Sequence, residues 1–385
     1  MPASPGRVVV AMSGGVDSSV AALLLARQGY EVIGVTLRLY AEERSDAAPL
    51  SRGCCTLEDI DDARRVCAAI GARHYVINAE REFRAAVIDH FLAEYERGRT
   101  PHPCIACNDM IKFSFLLDRA LAMDADAIAT GHYARARRDD DGTVRLLKAV
   151  DPAKDQSYVL FGLRQDQLRR LLLPVGDYAK PELRELAREA GLGVADKADS
   201  QDICFIPAGD YRQFLTLHRE PVPGDIVDTD GAVLGAHQGV DRYTVGQRRG
   251  IGVASAEPLY VVRLEPEARR VVVGPESALY APGLAAEGVN WVRGAPPDGP
   301  VDATVKIRYR AAESPAVVEP AERGANVWFA EPQRAVTPGQ AAVFYAGDEL
   351  LGGGFIAGPL TSSVRPELVE GERMDASSRP ALTPA

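Results

Sequence analysis

The sequence predicts an α/β protein whose second half gives way to all-β structure. Three observations carry this. From the N-terminus to about residue 206, short β-branched apolar runs alternate with segments of helical periodicity, as in a parallel sheet crossed by helices. The first run, Val8-Val9-Val10, passes through a turn of small residues directly into a helical pattern. After Ile206 helical periodicity mostly disappears, and short β-rich segments recur between Gly, Pro and Asp, a pattern of small β domains or a barrel.

At 385 residues the chain is long enough for two or three domains, and 46% hydrophobic with 25% charged residues is ordinary for a soluble globular protein. It shows no long uncharged apolar run and no basic-then-apolar leader, so a cytoplasmic protein without a membrane partner is expected. A net charge of −10 weighs against nucleic acid only for the chain as a whole, because local basic clusters make a phosphate footprint. Cysteines at 54, 55, 67, 104, 107 and 204 do not read as a secreted disulfide framework; grouped cysteines in a reducing compartment signal metal or redox chemistry.

The turn after the first strand runs Ala11-Met12-Ser13-Gly14-Gly15-Val16-Asp17-Ser18-Ser19, with Ser18 or Ser19 as the expected N-cap of a helix over residues 20–27. It is neither G-x-x-x-x-G-K-[ST] nor G-x-G-x-x-G. A strand, a glycine turn and a helix start suit an anion, since glycines admit close backbone approach and the helix end offers N–H groups and a favourable dipole. By spacing alone, an ordinary tight turn reads equally well. A second strand is expected over 31–39 and a polar irregular stretch over 40–53. A helix capped by Thr56 runs to Gly71, with its acidic residues in the first turn, followed by a strand over 74–78 and a helix over 82–97.

The stretch Thr100-Pro101-His102-Pro103-Cys104-Ile105-Ala106-Cys107-Asn108 precedes a helix expected over 110–122. Its prolines predict an extended loop, placing Cys107 just before a helix N-terminus, where the dipole favours the thiolate. Half of a zinc site, a thioredoxin-like motif and a single nucleophilic cysteine are the competing readings. No second C-x-x-C or suitable His cluster completes four ligands, and we prefer the nucleophile. Residues 127–133 read as a strand ending in Thr130-Gly131-His132-Tyr133, with Gly131 free to approach a nucleotide closely and His132 by itself more often structural. Lys154-Asp155-Gln156-Ser157-Tyr158 reads as a polar loop, with helices expected over 165–172 and 181–189. By residue type Cys204, between Ile203 and Phe205, is a small buried hydrophobe. Strands are expected over 224–227, 231–234, 259–264, 270–273, 289–292, 303–309, 316–319, 326–329 and 341–345. Gly246-Gln247-Arg248-Arg249-Gly250 is a phosphate-contact candidate. Period-two alternation gives Lys306, Arg308 and Arg310 one strand face, open either to nucleic acid or to solvent. From about residue 361 the composition reads as a disordered tail.

Ser13-Gly14-Gly15-Val16-Asp17-Ser18 resembles the signature of PP-loop ATP pyrophosphatases, which cleave ATP between the α- and β-phosphates and transfer AMP to a substrate oxygen. Together with residues 100–113, Thr130 to Tyr133, Lys154 to Tyr158, Asp202 to Phe205, residues 246–250 and 306–310, it makes the chain to about Gly358 resemble the bacterial tRNA-specific 2-thiouridylases. That resemblance implies a PP-loop ATP-binding catalytic domain over 1–208, a central tRNA-binding domain over 209–275, a C-terminal β-barrel over 276–360 and a disordered tail over 361–385. It implies that Ala11, Met12, Ser13, Gly14, Gly15, Val16, Asp17 and Ser18 hold the ATP phosphates while Leu37 and Gly131 flank the nucleotide. Cys204 would carry a persulfide and Cys107 would be the second catalytic cysteine. His102, Pro103 and Cys104 would face the target base, and His132, Lys154, Asp155, Gln156, Arg308, Tyr309 and Gln340 would contact tRNA. The implied partners are tRNAs for Lys, Glu and Gln and a cysteine desulfurase or sulfur-relay protein. Mg²⁺ is expected with ATP, with Asp17 the one candidate ligand. This chain departs from the family in carrying His102 where asparagine is common, and Cys54 and Cys55 receive no role. The alternatives are another PP-loop ligase or amidotransferase needing no cysteine, and a non-catalytic ATP- or RNA-binding module.

Overall fold

The computed structural model describes residues 6–40, 56–198, 203–206 and 211–361. Cys54, Cys55, Asp202 and the tail from residue 362 lie outside the described residues. Strands β1 (Arg7–Ala11), β2 (Glu31–Arg38), β3 (Arg73–Asn78) and β4 (Ala127–Ala129) are followed by a hairpin of β5 (Ala134–Arg138) and β6 (Val144–Lys148), and then by β7 (Leu171–Leu172). All but the hairpin form one wholly parallel sheet in the order β3-β2-β1-β4-β7. Alternation along β1 builds the layers: Val9 enters the core on one face, while Val8 and Val10 enter that on the other, packing with α1 (Val16–Arg27) and α2 (Leu57–Ala69). Thr56 caps α2 as expected, accepting from the Asp59 amide at 3.1 Å while Asp59 accepts from the Thr56 amide at 3.1 Å.

The second half holds two further sheets. Strands β8 (Gly224–Val227), β9 (Val233–His237), β10 (Tyr260–Glu265) and β11 (Arg270–Gly274) pair as β10-β11-β8-β9 around Ile226, Val261, Val271 and Val273. Strands β12 (Tyr280–Trp291), β13 (Val301–Lys306), β14 (Ser314–Ala321), β15 (Gly324–Arg334), β16 (Ala341–Ala346) and β17 (Glu349–Leu360) run antiparallel, and pairing of β12 with β17 closes them into a barrel. The β5–β6 hairpin extends the barrel sheet, with Leu147 opposite Glu349 and Leu146 opposite Leu350. Sequence order therefore does not coincide with sheet membership.

Several expectations are corrected. The helix expected from residue 110 begins at Pro103 and continues through Cys107–Phe115, a π-helical stretch, to Leu121. Proline is tolerated at the first helical position, where its missing N–H has no intrahelical partner to lose. Both cysteines of the pair are thus inside a helix. The helix expected over 165–172 stops at Leu168, because Leu171 and Leu172 pair with β4 as a sheet edge. The strand expected over 303–309 ends at Lys306, so Arg308 and Arg310 do not share its face. Hairpin β5–β6, a helix at Tyr211–His218 and strand β17 were not expected from the sequence.

The cysteine helix is clamped to the barrel. The Thr100 amide donates to Pro338 O at 2.8 Å, Gln340 Nε2 donates to Thr100 O at 2.8 Å, and Arg99 pairs with Glu287 at 2.6 Å. On the other side, Phe205 sits edge-on to Phe83, Phe91 and Phe214 at centroid distances of 5.7, 5.4 and 5.2 Å. Truncating this 1%-exposed ring leaves a large cavity. Phe205→Ala is expected to lower stability by about 3–5 kcal/mol, read as a lower urea midpoint by far-UV circular dichroism. An unchanged midpoint would mean that the aromatic cluster does not anchor the segment carrying Cys204.

Candidate functional site

The turn after β1 is shaped by its own side chains. Ser18 Oγ accepts from the Ser13 amide at 3.2 Å, and the Ser18 and Ser19 hydroxyls donate to Gly15 O at 3.2 and 2.8 Å. Gly15 is the N-cap of α1 and supplies no side chain, which corrects the expectation of a serine cap: the serines lie inside the helix and reach back. The first amides of α1 therefore have no capping side chain of their own, the condition for receiving an anion. Gly14 has φ +72°, and a Cβ there would overlap the Asp59 backbone, so glycine is required.

Around this turn lies an open cavity at the carboxyl ends of the parallel strands. Ala11, Met12, Ser13, Asp17 and Ser18 line it with Leu37, Thr130, Gly131, His132, Gln156 and Lys112. Gly14, Gly15 and Val16 shape the turn without lining the cavity. Gly131, which lines the cavity, also makes a close approach within the chain: a Cβ would sit 2.6 Å from the backbone at Asp17 and Ser18, so the turn itself requires glycine. His132 is buried in the cavity wall, 8% exposed, with Nδ1 2.8 Å from Thr130 Oγ1. Burial, reinforced by Lys112, holds it well below the usual histidine range, so it is neutral at pH 7.

Two lysines hold the turn from outside. Lys180 Nζ lies 2.8 and 2.9 Å from the Asp17 carboxylate oxygens, and Tyr133 OH donates to Asp17 Oδ1 at 2.6 Å. Asp17 is thereby committed to an ammonium and a phenol. Among the described residues no group of three His, Cys, Asp or Glu is placed to hold a metal, so any Mg²⁺ here would lean on the nucleotide's own phosphates. Lys197 Nζ donates to Gly14 O at 3.1 Å and pairs with Asp59 and Asp62 at 2.7 Å each. Sequence reasoning missed both lysines. Lys180 carried a signal, because a cation in the first turn of a helix opposes the dipole unless paired.

The cysteine helix is the second part. His102 faces Tyr309 and Tyr158 at ring distances of 5.8 and 6.1 Å, and Tyr158 and Tyr309 are 5.8 Å apart. Its Nδ1 is buried without a hydrogen-bond partner among the described residues, and burial lowers its pKa against a smaller opposing backbone hydrogen bond. Pro103 is buried, Cys104 is exposed and Cys107 is 8% exposed. Asn108 Nδ2 fixes the helix by donating to Val159 O at 2.9 Å. Cys107 belongs to the apolar cluster of Phe83, Phe91, Ile105 and Phe205, and Cys204, half-buried, packs against that same cluster. The fold thus brings both cysteines to one core across 97 positions of sequence, as 107 and 204 define.

The expected tRNA-contact residues divide. Asp155 accepts from the Ala149 and Ser157 amides at 3.0 and 3.2 Å and from Ser157 Oγ at 2.8 Å, and Gln156 Oε1 accepts from the Tyr133 amide at 2.9 Å. Both shape the loop that also carries Lys154. Gln340 clamps Thr100, and Arg308 Nη2 donates to the carbonyls of Arg334 and Ala335 at 2.5 and 3.2 Å. These four side chains position the cysteine helix and its surroundings from within the protein.

Comparison with known proteins gives consistent matches. Residues 6–208 match the family model described as a tRNA methyl transferase HUP domain, 212–275 the tRNA methyl transferase PRC-barrel domain, and 282–356 the aminomethyltransferase beta-barrel domain. The chain is 51% identical over 360 residues to tRNA-specific 2-thiouridylase MnmA from Geobacter metallireducens, covering 92% of this chain and 98% of that one. The protein of that name from Carboxydothermus hydrogenoformans is 52% identical, covering 91% and 97%. A crystal structure of a 4-thiouridine synthetase–RNA complex with bound ATP is 18% identical, covering 55% of this chain and 50% of that chain at a TM-score of 0.33.

Asp109, two residues after Cys107, was also missed. Burial pushes its carboxyl up to about 7, against a smaller opposing effect of Arg164, and its Oδ1 has no hydrogen-bond partner among the described residues. The unfolded chain loses this proton near the ordinary 3.8. Between about pH 4 and 7 the folded state therefore holds a proton that the unfolded state has released, and stability falls as pH rises. Asp109→Asn is expected to remove that fall, gaining on the order of 4 kcal/mol over the wild type at pH 8 but nothing at pH 3.5. Urea unfolding of both proteins across this range checks it.

Proposed function

The chain belongs to the tRNA-specific 2-thiouridylase family, and we propose that it converts the wobble uridine of tRNA to 2-thiouridine at the expense of ATP. The observation that carries this reading is the match to full-length relatives of that family, in a domain whose anion-ready turn lines a cavity and whose large apolar core takes in Cys107 and borders Cys204. The domain descriptions name methyl transfer. The full-length relatives, matched over nine-tenths of the chain, favour thiolation.

The residues have a chemical division of labour under this proposal. ATP occupies the cavity, its phosphates on the N-terminal amides of α1 and its adenosine flanked by Leu37 and Gly131. Lys112, which lines the cavity and enters no ion pair among the described residues, supplies the positive charge there. Mg²⁺ arrives with ATP, held by phosphate oxygens and water. O2 of the uracil attacks the α-phosphorus of ATP and takes AMP as pyrophosphate leaves, which converts a poor leaving group at C2 into a good one. The terminal sulfur of a Cys204 persulfide attacks C2, forming a C2–S bond as AMP leaves. Cys107 thiolate then attacks the Cys204 sulfur, and the S–S bond to the product breaks. Thiouridine departs, two cysteines are oxidised to a disulfide, and a thiol reductant restores them. The neutral ring of His102 with Tyr158 and Tyr309 forms an aromatic face for a base taken out of its stack, which a single-stranded anticodon loop yields cheaply. Expected substrates are tRNAs for Lys, Glu and Gln, with sulfur supplied through a cysteine desulfurase or relay protein. We place the domain boundaries near 208 and 275.

Unmodified tRNA transcripts incubated with ATP, Mg²⁺ and a desulfurase-driven sulfur supply, then run on a mercury-containing gel, test this. Retarded tRNA is expected with the wild type, and little or none with Cys107→Ala or Cys204→Ala. Undiminished retardation with Cys204→Ala would contradict the persulfide role. No retardation with any protein would favour a PP-loop ligase acting on a small metabolite.

A further inference from the structure

The C-x-x-C pair of Cys104 and Cys107 is only half used by the chemistry above, which engages Cys107 alone. The two residues stand one turn apart at the start of one helix, and that turn is tightly wound. The Ile105 amide donates to His102 O at 3.0 Å, and the Cys107 amide donates to the carbonyls of Cys104 and Pro103. The bonds from Ile105 to His102 and from Cys107 to Cys104 span three residues, the 3₁₀ pattern, in which side chains three apart eclipse. Neighbours at this spacing on an ordinary helix have Cβ atoms about 5–6 Å apart, and a disulfide needs about 3.5–4.5 Å. The tight first turn acts in the direction of closure.

Exposure divides the pair. Cys104 is exposed, Cys107 is buried in the core with Phe83, Phe91, Ile105 and Phe205, and Cys204 at the edge of that core is half-buried. Cys67 is fully buried on the other face of the sheet, where burial pushes its thiol up to about 11. Cys104 is therefore the one exposed thiol among the described residues. It also borders the aromatic face. Burial first, then Asp155 and then Cys104, raise the Tyr309 hydroxyl above its ordinary range, which puts the Cys104 sulfur near the ring that faces His102.

Such an arrangement answers a need of the reaction. A disulfide between Cys107 and Cys204 would be sheltered by the apolar core from the thiol that must reduce it, and access governs the rate of exchange. Cys204 must become a thiol again before it takes up another sulfur. We propose that Cys104 is the resolving cysteine that frees Cys204. Its thiol gives a proton to solvent and the thiolate attacks Cys107 Sγ. The Cys107–Cys204 bond breaks, a Cys104–Cys107 bond forms, and Cys204 leaves as a thiolate. One S–S bond replaces another, so the step consumes no oxidant or reductant. Reduction follows when the external thiol already required by the reaction attacks the exposed Cys104 sulfur. This rests on the thiolation reading, which supplies the Cys107–Cys204 disulfide.

The test gives persulfide-loaded protein one turnover with ATP and unmodified tRNA in the absence of reductant. Portions are alkylated over time, and unreduced tryptic peptides are analysed by mass spectrometry. Cys104 and Cys107 share the peptide 100–112, so their mutual disulfide leaves that peptide unalkylated and unlinked. The earlier species joins it to the peptide carrying Cys204. In the wild type the joined species is expected to rise first, then give way to the intrapeptide disulfide as Cys204 becomes open to alkylation. In Cys104→Ser the intrapeptide disulfide is lost, and any joined species is expected to persist until reductant is added. A wild-type joined species that never passes to the intrapeptide form would overturn the proposal, whether or not the serine variant turns over. So would a joined species that decays equally fast in Cys104→Ser. A wild type yielding neither thiolated tRNA nor the joined species would overturn the thiolation reading instead.

Discussion

The site depends on the turn after β1 being held open by charges that come from elsewhere in the chain. A left-handed glycine, an uncapped helix start and a carboxylate at position 17 would not stay in register by local propensity alone. Lys180 and Tyr133 fix the carboxylate, Lys197 fixes the Gly14 carbonyl, and Asp59 backs the same glycine. Each of these cations is balanced by protein carboxylates, Lys180 by Asp17 and Lys197 by Asp59 and Asp62. What remains for an incoming anion is the backbone amides of α1 and Lys112. Burial alone would raise the Asp59 carboxyl, yet the hydrogen bonds from Lys197 and Thr56 hold it below the ordinary carboxylate range, so the lysine clamp persists at neutral pH.

The same logic extends to the cysteines. The helix bearing Cys107 is pinned at its start by the barrel, through Thr100, Gln340 and Arg99, and along its length by Asn108. Cys204 is placed by its neighbour Phe205, whose ring is locked among three other phenylalanines. The barrel is accordingly more than an appended binding module. Its sheet takes in the β5–β6 hairpin of the N-terminal half, and its β15–β16 connection clamps the reactive helix. A reactive group held by a rigid element from each side is what a transfer between two sulfurs requires, since a small misplacement is costly.

Much of this was legible in the sequence. The valine run of β1, the glycine turn and the capping pattern at Thr56 report local physics, and local physics built what they promised. The motif residues carried the family, and with it both cysteines. What was not legible depended on distant partners. The two prolines before Cys104 argued for an extended loop, but proline also starts helices, and only tertiary packing decides which. That Arg308 and Gln340 donate to backbone carbonyls across the fold had no local sign in the sequence. Lys197 gave no local sign of its role, because Asp59 and Asp62 lie 138 and 135 positions away in the chain. Strands of β5–β6 went unread because arginines fill their exposed faces, so the apolar alternation was weak.

The central claim is that Cys107 and Cys204 act on each other during turnover. The most direct measurement loads the wild-type protein with persulfide, starts a single turnover with ATP and tRNA, blocks free thiols with an alkylating reagent and maps disulfide-linked peptides by mass spectrometry without reduction. The account predicts a peptide joining Cys107 to Cys204 that forms only when ATP and tRNA are both present. Thiolated product without that linkage, or a linkage of Cys204 to Cys104 in its place, would contradict it.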